Sequence, residues 1–226
     1  MSLVCPEPAN NLSVRTSRGR VDLSGPVSSQ SLKRLAIAES LTNFRPAERQ
    51  KEALVKIAGL PEGMVYVAVH NDTIVGYVTF HRPHRYSRWS KHPRILEVGT
   101  IEIAPEWRRF KIAQNLLELA FSNPVLEEYI IITTEFYWHW DLARTRMDVW
   151  QYQNMLARLF GAVGMQKTAT DDPAILEHPA NVLMVKFGKQ ISMADRKLFA
   201  ELQFLNQGSL SASAAAGRRT SEAGAG

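Results

Sequence analysis

The segment IEIAPEWRRFKIAQNLLELA (residues 101–120) begins with the pattern of a β-strand and ends with that of an α-helix. Its apolar residues alternate up to Pro105, which ends or bends a strand because proline cannot donate a ladder hydrogen bond. Two arginines follow, and a helix starts near residue 112. A helix start has free backbone N–H groups and carries about half a positive charge, so it attracts pyrophosphate. The segment therefore predicts either a pyrophosphate site or an ordinary strand–loop–helix unit with a solvated basic face.

Strand and helix patterns alternate along the rest of the chain. Strand patterns cover two short strands in 12–25, a hairpin in 64–82, and single strands in 95–105, 127–138 and 181–189. Helical patterns cover 28–38, 44–63, 112–121, 147–165 and 192–206. This order predicts a mixed α/β domain, an α+β arrangement of helices around a central mixed sheet. We expect the domain to occupy 12–207, between a flexible N-terminal tail (1–11) and a disordered low-complexity tail (208–226).

Composition narrows the classes of function. The 226 residues are 45% apolar and carry a formal net charge of +5, which suits a polyanionic partner such as a phosphorylated cofactor or an acidic protein surface. We expect no nucleic acid, because neither a basic zipper helix nor a zinc finger is present. We also expect no membrane, because no apolar run approaches the roughly 20 residues that span one. Cys5 is the only cysteine, so a disulfide framework is excluded and a cytoplasmic location is expected.

The segment around residue 110 resembles the acetyl-CoA signature of the GNAT acetyltransferase superfamily, Arg/Gln-x-x-Gly-x-Gly/Ala. Arg108 matches the first position, Lys111 stands at the first glycine and Ala113 at the last. Longer strings are similar to the acetoin-utilisation (AcuA) family within that superfamily, over roughly 12–207. These strings include DTIVGYVTFHRP (72–83), YIIITTEFYWHWDL (129–142) and ATDDPAILEHPANVLMVKFGK (169–189).

That resemblance implies a GNAT acyl-CoA N-acyltransferase fold with an N-terminal extension and a C-terminal helix. It also implies a cytoplasmic enzyme that uses acetyl-CoA to acetylate a lysine of acetyl-CoA synthetase and so switches it off, within acetoin and acetate metabolism. Two other functions stay open: a small-molecule amine N-acetyltransferase, and an acyl-CoA-binding regulator without turnover. No oligomeric state follows from the sequence.

The resemblance assigns acetyl-CoA to the end of the strand and the start of the helix. The expected cofactor-binding residues are Ile101, Ile103, Arg108, Arg109, Phe110, Lys111, Ile112, Ala113 and Gln114. Lys111 departs from the signature, in which glycine permits close approach and positive φ. We expect Lys111 to keep an ordinary backbone conformation and to offer its ammonium group to the phosphates. No metal is expected, since His81 and His84 lack further ligands.

Acetylation of a lysine needs a proton acceptor, because an amine with a pKa of about 10.4 is almost fully protonated at neutral pH. Glu102 is the predicted general base and Glu97 the alternative. Strand alternation puts these carboxylates on opposite faces, unless a bulge at Gly99 changes the register. The GNAT arrangement implies the N–H of Ile103 as donor to the thioester oxygen.

The family's usual general acid is a tyrosine, and Phe160 stands at its place. Tyr152 is the expected substitute, with Tyr137 as an alternative. The string EFYWHWDL (135–142) is either an aromatic core at a strand end or the wall of a lysine channel, where aromatic faces attract an ammonium group and Glu135 adds negative charge. The expected substrate-binding residues are Arg45, Tyr137, Trp138, His139 and Asp141. The basic segment 82–94 is a solvated hairpin tip, a dock for an acidic patch on the partner, or a segment that approaches the 3′-phosphate of CoA.

Overall fold

The computed structural model of the chain describes residues 11–205, which form nine strands and seven α-helices. The strands are β1 (Leu12–Thr16), β2 (Gly19–Ser24), β3 (Ala36–Ile37), β4 (Met64–His70), β5 (Thr73–His81), β6 (Ile95–Ile103), β7 (Ile130–Glu135), β8 (Gln166–Thr168) and β9 (Val182–Phe187). The helices are α1 (Ser29–Arg34), α2 (Ala47–Ile57), α3 (Ile112–Phe121), α4 (Leu142–Thr145), α5 (Val149–Gly161), α6 (Pro173–Leu176) and α7 (Met193–Gln203). The disorder predicted for 208–226, and nearly all of the predicted N-terminal tail, lie outside the described residues.

The predicted strands and helices are present, most of them shorter than predicted, and the end of the first helix was wrong because a strand takes its place. The helix predicted over 28–38 ends at Arg34, and Ala36–Ile37 instead pairs in parallel with the start of β5. Leu35 caps the helix in an extended conformation, and the Ala36 N–H then donates to the carbonyl of Asp72 at 2.9 Å. Hydrogen bonding to the neighbouring strand thus ends the helix although the apolar spacing continues.

All nine strands belong to one mixed sheet. Its order is β1-β2-β4-β5-β6-β7-β9-β8, with β3 paired to β5. Along that path every pair is antiparallel except β6 and β7, which run parallel because α3 crosses over between them. The β1–β2 hairpin is the expected N-terminal extension, and α7 is the expected C-terminal helix. No helix within 11–205 is long and apolar enough to cross a membrane.

The continuous apolar run of β7 arises because both of its faces are covered. Ile131 belongs to the main core together with Leu156 and Phe160 of α5. Ile130 and Ile132 point the other way, into a second core cluster that includes Phe199 of α7. Helix α5 therefore covers one face of the sheet and α7 the other.

The basic segment 82–94 is anchored, so its interpretation as a solvated hairpin tip was wrong. Trp89 is buried in the second core cluster, and its indole N–H donates to Asp172 at 3.0 Å. Arg88 forms an ion pair with Asp171, and Arg82 donates to the carbonyl oxygens of the segment's far end. These contacts hold the segment against the C-terminal part of the domain.

Candidate active site

A cleft opens between β6 and β7. The two strands pair only from Ile95 to Glu97 on β6 and from Ile130 to Ile132 on β7, although both continue beyond that point. Their diverging ends leave a cavity in the plane of the sheet. It is lined by Val98, Gly99, Thr100 and Ile101 of β6, by Thr134, Glu135 and Phe136, and by Asn43, Phe44, His139, Trp140, Tyr152 and Leu156.

Strand β6 directs two backbone amides toward this cleft. The N–H of Ala104 donates to the carbonyl of Val75 on β5 at 2.9 Å. Because antiparallel strands alternate the direction of their polar groups, the amides of Ile101 and Ile103 face the other side, toward β7. Consistent with this direction, the Ile103 carbonyl accepts a hydrogen bond from the Arg108 side chain at 3.1 Å. Of the two residues, only Ile101 lines the cavity.

A β-bulge at Gly99 sets the direction of the two candidate bases. Thr79 pairs with Thr100 and Phe80 with Val98, so Gly99 is the additional residue. Glu97 then lies opposite His81 and Glu102 opposite Tyr77, two positions that share one face of β5. Both carboxylates therefore point to the same face of the sheet, contrary to plain alternation.

Glu102 is enclosed by protein donors. Its side chain is buried, its Oε1 accepts the N–H of Asn43 at 2.8 Å, and its Oε2 accepts the hydroxyl of Tyr77 at 2.5 Å. Burial, together with the charge of Glu102, raises the pKa of Tyr77, so this hydroxyl keeps its proton. Glu102 does not line the cavity. These contacts argue against the role of general base that we predicted for it.

Glu97 does not line the cavity either, but it is the last residue of β6 that pairs with β7 and directly precedes the cavity-lining Val98. Its Oε1 accepts the hydroxyl of the cavity-lining Thr134 at 2.7 Å. Burial raises the pKa of Glu97, and the Thr134 hydrogen bond and the nearby charges of His81 and His84 oppose that rise. A partly buried carboxyl group with a raised pKa suits proton acceptance near neutral pH. The geometry therefore favours the alternative of the two predicted bases.

Glu135 is a further carboxyl group in the cavity, which the sequence indicated only as added negative charge. It accepts the Thr133 hydroxyl at 2.7 Å and points to the α5 face. Burial raises the pKa of Glu135, and the charge of Glu97 raises it further. In the sequence, the signal for Glu135 as a cavity residue was its position at the end of a continuously apolar strand.

Tyr152 enters the cavity from α5, and Tyr137 does not. The Tyr152 ring stacks on Trp140 with centroids 5.3 Å apart, and burial raises its pKa, partly offset by a hydrogen bond from the Asp141 backbone. Tyr137 instead stacks on His178 at 4.0 Å near the surface. Phe160 is fully buried in the core. Of the two tyrosines considered as general acid, the geometry thus favours Tyr152.

Asp141 binds neighbouring side chains, so the prediction that it contacts the substrate is corrected. Only 7% of its side chain is exposed, and its Oδ2 accepts from Arg108 at 2.7 Å while it caps α4. Arg108 in turn connects the end of β6 to the segment after β7. Two of its donors are thus engaged within the protein, which leaves fewer of them for a phosphate group.

Aromatic side chains form the outer rim of the cavity. Phe136 stacks on Trp138 at 4.7 Å, and His139 meets the edge of Phe44 at 6.1 Å. Trp138 is 46% exposed, and Arg45 is exposed next to Phe44. Burial lowers the pKa of His139, which favours its neutral form at physiological pH. An exposed aromatic rim thus surrounds a cavity with an acidic floor, formed by the lining residue Glu135 and by Glu97 behind the lining residue Thr134.

The start of α3 fits a pyrophosphate group through its backbone. Lys111 is the N-cap residue, and its side chain does not cap the first N–H groups of the helix. Its φ is 57° and its ψ is 18°, so the expectation of an ordinary backbone conformation was wrong. Arg109 is also left-handed, with φ at 69°, and both side chains are exposed. Uncapped N–H groups beside two cationic side chains make an anion-binding site.

The remaining predicted cofactor residues contribute mainly backbone. The side chains of Phe110, Ile112 and Ala113 pack against the core. The side-chain amide of Gln114 donates to Glu118 at 2.8 Å, one turn further along α3. Within 11–205, no group of three or more His, Cys, Asp or Glu side chains is arranged to hold a metal ion.

Comparison with known proteins places this geometry in a family. The acetyltransferase (GNAT) family matches residues 34–123. The acetoin utilization protein AcuA of Bacillus licheniformis is 43% identical over 196 residues, which are 86% of this chain and 93% of that protein. AcuA of Bacillus subtilis is 40% identical over 200 residues, or 88% and 95% of the two chains.

Two solved structures agree with this assignment at different levels. The acetoin utilization protein of Exiguobacterium sibiricum superposes with a TM-score of 0.86 at 40% identity, covering 89% of this chain and 97% of that one. The GNAT domain of S. lividans PAT superposes with a TM-score of 0.50 at 10% identity, covering 79% of this chain and 96% of that one. At 10% identity, the second comparison supports a shared fold and nothing more.

Proposed function

The chain belongs to the AcuA family of GNAT N-acetyltransferases, and we propose that it acetylates a lysine side chain of acetyl-CoA synthetase in the cytoplasm and thereby inactivates that enzyme. Membership of the family makes acetyl-CoA the co-substrate and links the protein to acetoin utilisation. The observation that carries the proposal is the cavity between β6 and β7, where an acidic floor lies beneath an exposed aromatic rim.

The rim favours a lysine on a protein as acceptor. A lysine side chain is a long apolar stem with a cationic end, and aromatic faces attract such an end by about 0.5–2 kcal/mol. Trp138 and Tyr137 remain exposed beside the opening, where they are available to the surface that carries the lysine. Exposed aromatic residues at a rim are typical of protein-binding surfaces.

The two reactants approach from opposite faces of the sheet. Glu97 shares its face with Ile132 and the α7 cluster, whereas Tyr152 belongs to α5 on the other face. We assign the amine to the Glu97 side and the thioester to the α5 side. They meet where β6 and β7 part, because the pairing of the two strands ends there and leaves a passage through the sheet.

In this mechanism Glu97 accepts the proton of the lysine ammonium, directly or through water. The free amine attacks the carbonyl carbon of the thioester that acetyl-CoA supplies, so that a C–N bond forms and the C–S bond breaks. The N–H groups of Ile101 and Ile103 are the candidate donors to the negative charge that develops on the carbonyl oxygen. Tyr152 gives a proton to the leaving thiolate, and the nitrogen releases its second proton through water to restore the tyrosine as the amide forms. The start of α3, with Arg109 and Lys111, holds the pyrophosphate.

The test combines the protein, acetyl-CoA and acetyl-CoA synthetase, followed by intact and peptide mass spectrometry. We expect a single acetyl group on a lysine of the synthetase. Glu97→Gln should lower kcat at neutral pH by about 10²–10⁴-fold, the usual contribution of a general base, with acetyl-CoA affinity unchanged. Glu201→Gln on the exposed side of α7 is the matched control and should behave as wild type.

The pH profile identifies the base. A base works only when deprotonated, and the raised pKa of Glu97 places the acid limb of kcat above the range of an ordinary glutamate. That limb should be missing in Glu97→Gln. Full turnover of this variant at every pH would exclude Glu97. Turnover on free polyamines but not on the synthetase would favour a small-molecule enzyme, and acetyl-CoA binding without any turnover would favour a regulator.

A further inference from the structure

Glu102 lies at the centre of a set of hydrogen bonds that fix residues 40–44, which we call the strap. The strap leads from β3 to α2, and its residues Asn43 and Phe44 line the cavity. Glu102 accepts the backbone N–H of Asn43 at 2.8 Å. The side-chain amide of Asn43 then donates to the carbonyl of His139 at 2.8 Å. Asn43 thus connects β6 to the aromatic rim across the mouth of the cleft.

The strap is held at its other end as well. The hydroxyl of Ser40 donates to Glu106 at 2.9 Å, just beyond β6. Arg144 of α4 donates to the hydroxyl of Thr42 at 2.8 Å. Glu106 is only half-buried, whereas the carboxylate of Glu102 is buried and has two donors aimed at it. Glu102 is therefore the interior attachment of the strap.

We propose that Glu102 is a positioning residue, whose carboxylate holds the strap at the mouth of the cleft and so sets the affinity for the acceptor lysine. This inference rests on the proposed reaction, in which the lysine enters the cleft that Asn43 and Phe44 help to line. The carboxylate acts through the Asn43 N–H and contacts no reacting atom. Its removal should release Asn43, and with it Phe44, without disturbing Glu97 or the start of α3.

The amide of Glu102→Gln cannot replace the carboxylate. Asn43 and Tyr77 each present a donor, and a glutamine has one oxygen for the two of them. The glutamine oxygen can accept the Asn43 N–H while its NH₂ group donates to the Tyr77 oxygen, so both bonds lose the negative charge of the carboxylate, which weakens the attachment. Glu106→Gln is the matched control, because its single donor, the Ser40 hydroxyl, can still bond to the amide oxygen.

Two measurements test the inference. In steady-state kinetics, Glu102→Gln should raise the KM for the acceptor about tenfold, the effect of a lost charge-assisted hydrogen bond, and keep kcat within about twofold. Acetyl-CoA affinity should not change, and Glu106→Gln should match wild type. In hydrogen exchange, the Asn43 amide should exchange about tenfold faster in Glu102→Gln than in wild type, whereas the β5 amides keep their protection.

The outcomes separate the inference from the proposed function. Exchange at Asn43 needs no acceptor, so an unchanged rate in Glu102→Gln would refute the attachment whatever the substrate is. A fall in kcat with loss of the acid limb and an unchanged KM would make Glu102 the base instead. Absence of acetylation by wild type, with faster Asn43 exchange in the variant, would overturn the synthetase as acceptor and leave the attachment standing. If Glu102→Gln does not fold, Asn43→Ala, which removes the side-chain bond to His139 and keeps the backbone N–H to Glu102, should still raise KM with kcat retained.

Discussion

Replacing Lys111 by glycine should stabilise the protein, although it removes a side chain. Lys111 has φ of 57° and ψ of 18°, a conformation that costs a residue with a Cβ atom about 1–2 kcal/mol. Glycine avoids that cost and loses about 0.5–1 kcal/mol in additional backbone entropy on folding. The balance predicts that Lys111→Gly raises the free energy of unfolding by up to about 1.5 kcal/mol, at about 2–4 °C in Tm per kcal/mol for a domain of this size.

Lys111→Ala is the control that separates backbone from charge. Alanine removes the ammonium group but retains the Cβ atom, so the unfavourable conformation persists. Urea denaturation of both variants should therefore find glycine more stable than alanine by up to about 1.5 kcal/mol. In an ordinary helical or extended conformation, glycine would be the less stable of the two by about 0.5–1 kcal/mol. Alanine more stable than glycine would refute the left-handed conformation at this position.

The same pair of variants measures what the ammonium contributes to acetyl-CoA. Both lack it, so calorimetric titration should find the two dissociation constants equal to each other and up to about fivefold above wild type, as for an exposed ion pair. A larger loss in alanine alone would mean that the phosphate requires close backbone approach, as in the family signature. Equal affinity in all three proteins would mean that the Lys111 ammonium group contributes nothing and that the backbone N–H groups and Arg109 bind the phosphates.

Two further predictions concern the cleft. Gly99→Ala should lower the free energy of unfolding by about 1–3 kcal/mol and lower kcat, because the new Cβ would lie 2.1 Å from Nε2 of His81 and must displace that ring beside Glu97. The loss should be smaller in a His81→Ala background, and urea denaturation of wild type, the two single variants and the double variant tests this. Glu135→Gln should become more stable relative to wild type as pH rises. Burial raises the pKa of Glu135 in the folded chain, so wild type is favoured below the unfolded pKa and loses that advantage as the carboxyl group ionises. Denaturation midpoints of both proteins at pH 5 and pH 8 test this, and a difference between the two midpoints that does not grow with pH would contradict it.

The sequence predicted the main elements because each has a long signal. The alternation in 101–104 and the helical spacing after residue 112 are local, and both elements are present as β6 and α3. By contrast, β3, α4, α6 and β8 have four residues or fewer, too short for either periodicity to be recognised. Their formation depends on partners far away in the sequence, as β3 depends on β5.

Backbone conformation at Lys111 could not be predicted from residue type. Lysine alone favours an ordinary conformation, and we predicted accordingly. The chain must turn sharply between the 3₁₀ turn at Pro105–Trp107 and α3, while Trp107 and Ile112 are both buried on either side. Tertiary packing of these side chains fixes the turn, and the left-handed residues at its centre follow from it.

The choice between the two carboxylates illustrates what a strand pattern leaves out. Alternation alone separates Glu97 from Glu102, and one additional residue at Gly99 brings both to the face from which we expect the lysine to enter. Their environments then differ: Glu102 meets two donors, whereas Glu97 stands where pairing with β7 ends and meets one. A carboxylate with two protein donors is held as an attachment point, and one with a free oxygen beside a cavity is available to a proton. The same bulge that aligns the two groups thus allows one to position the acceptor and the other to deprotonate it.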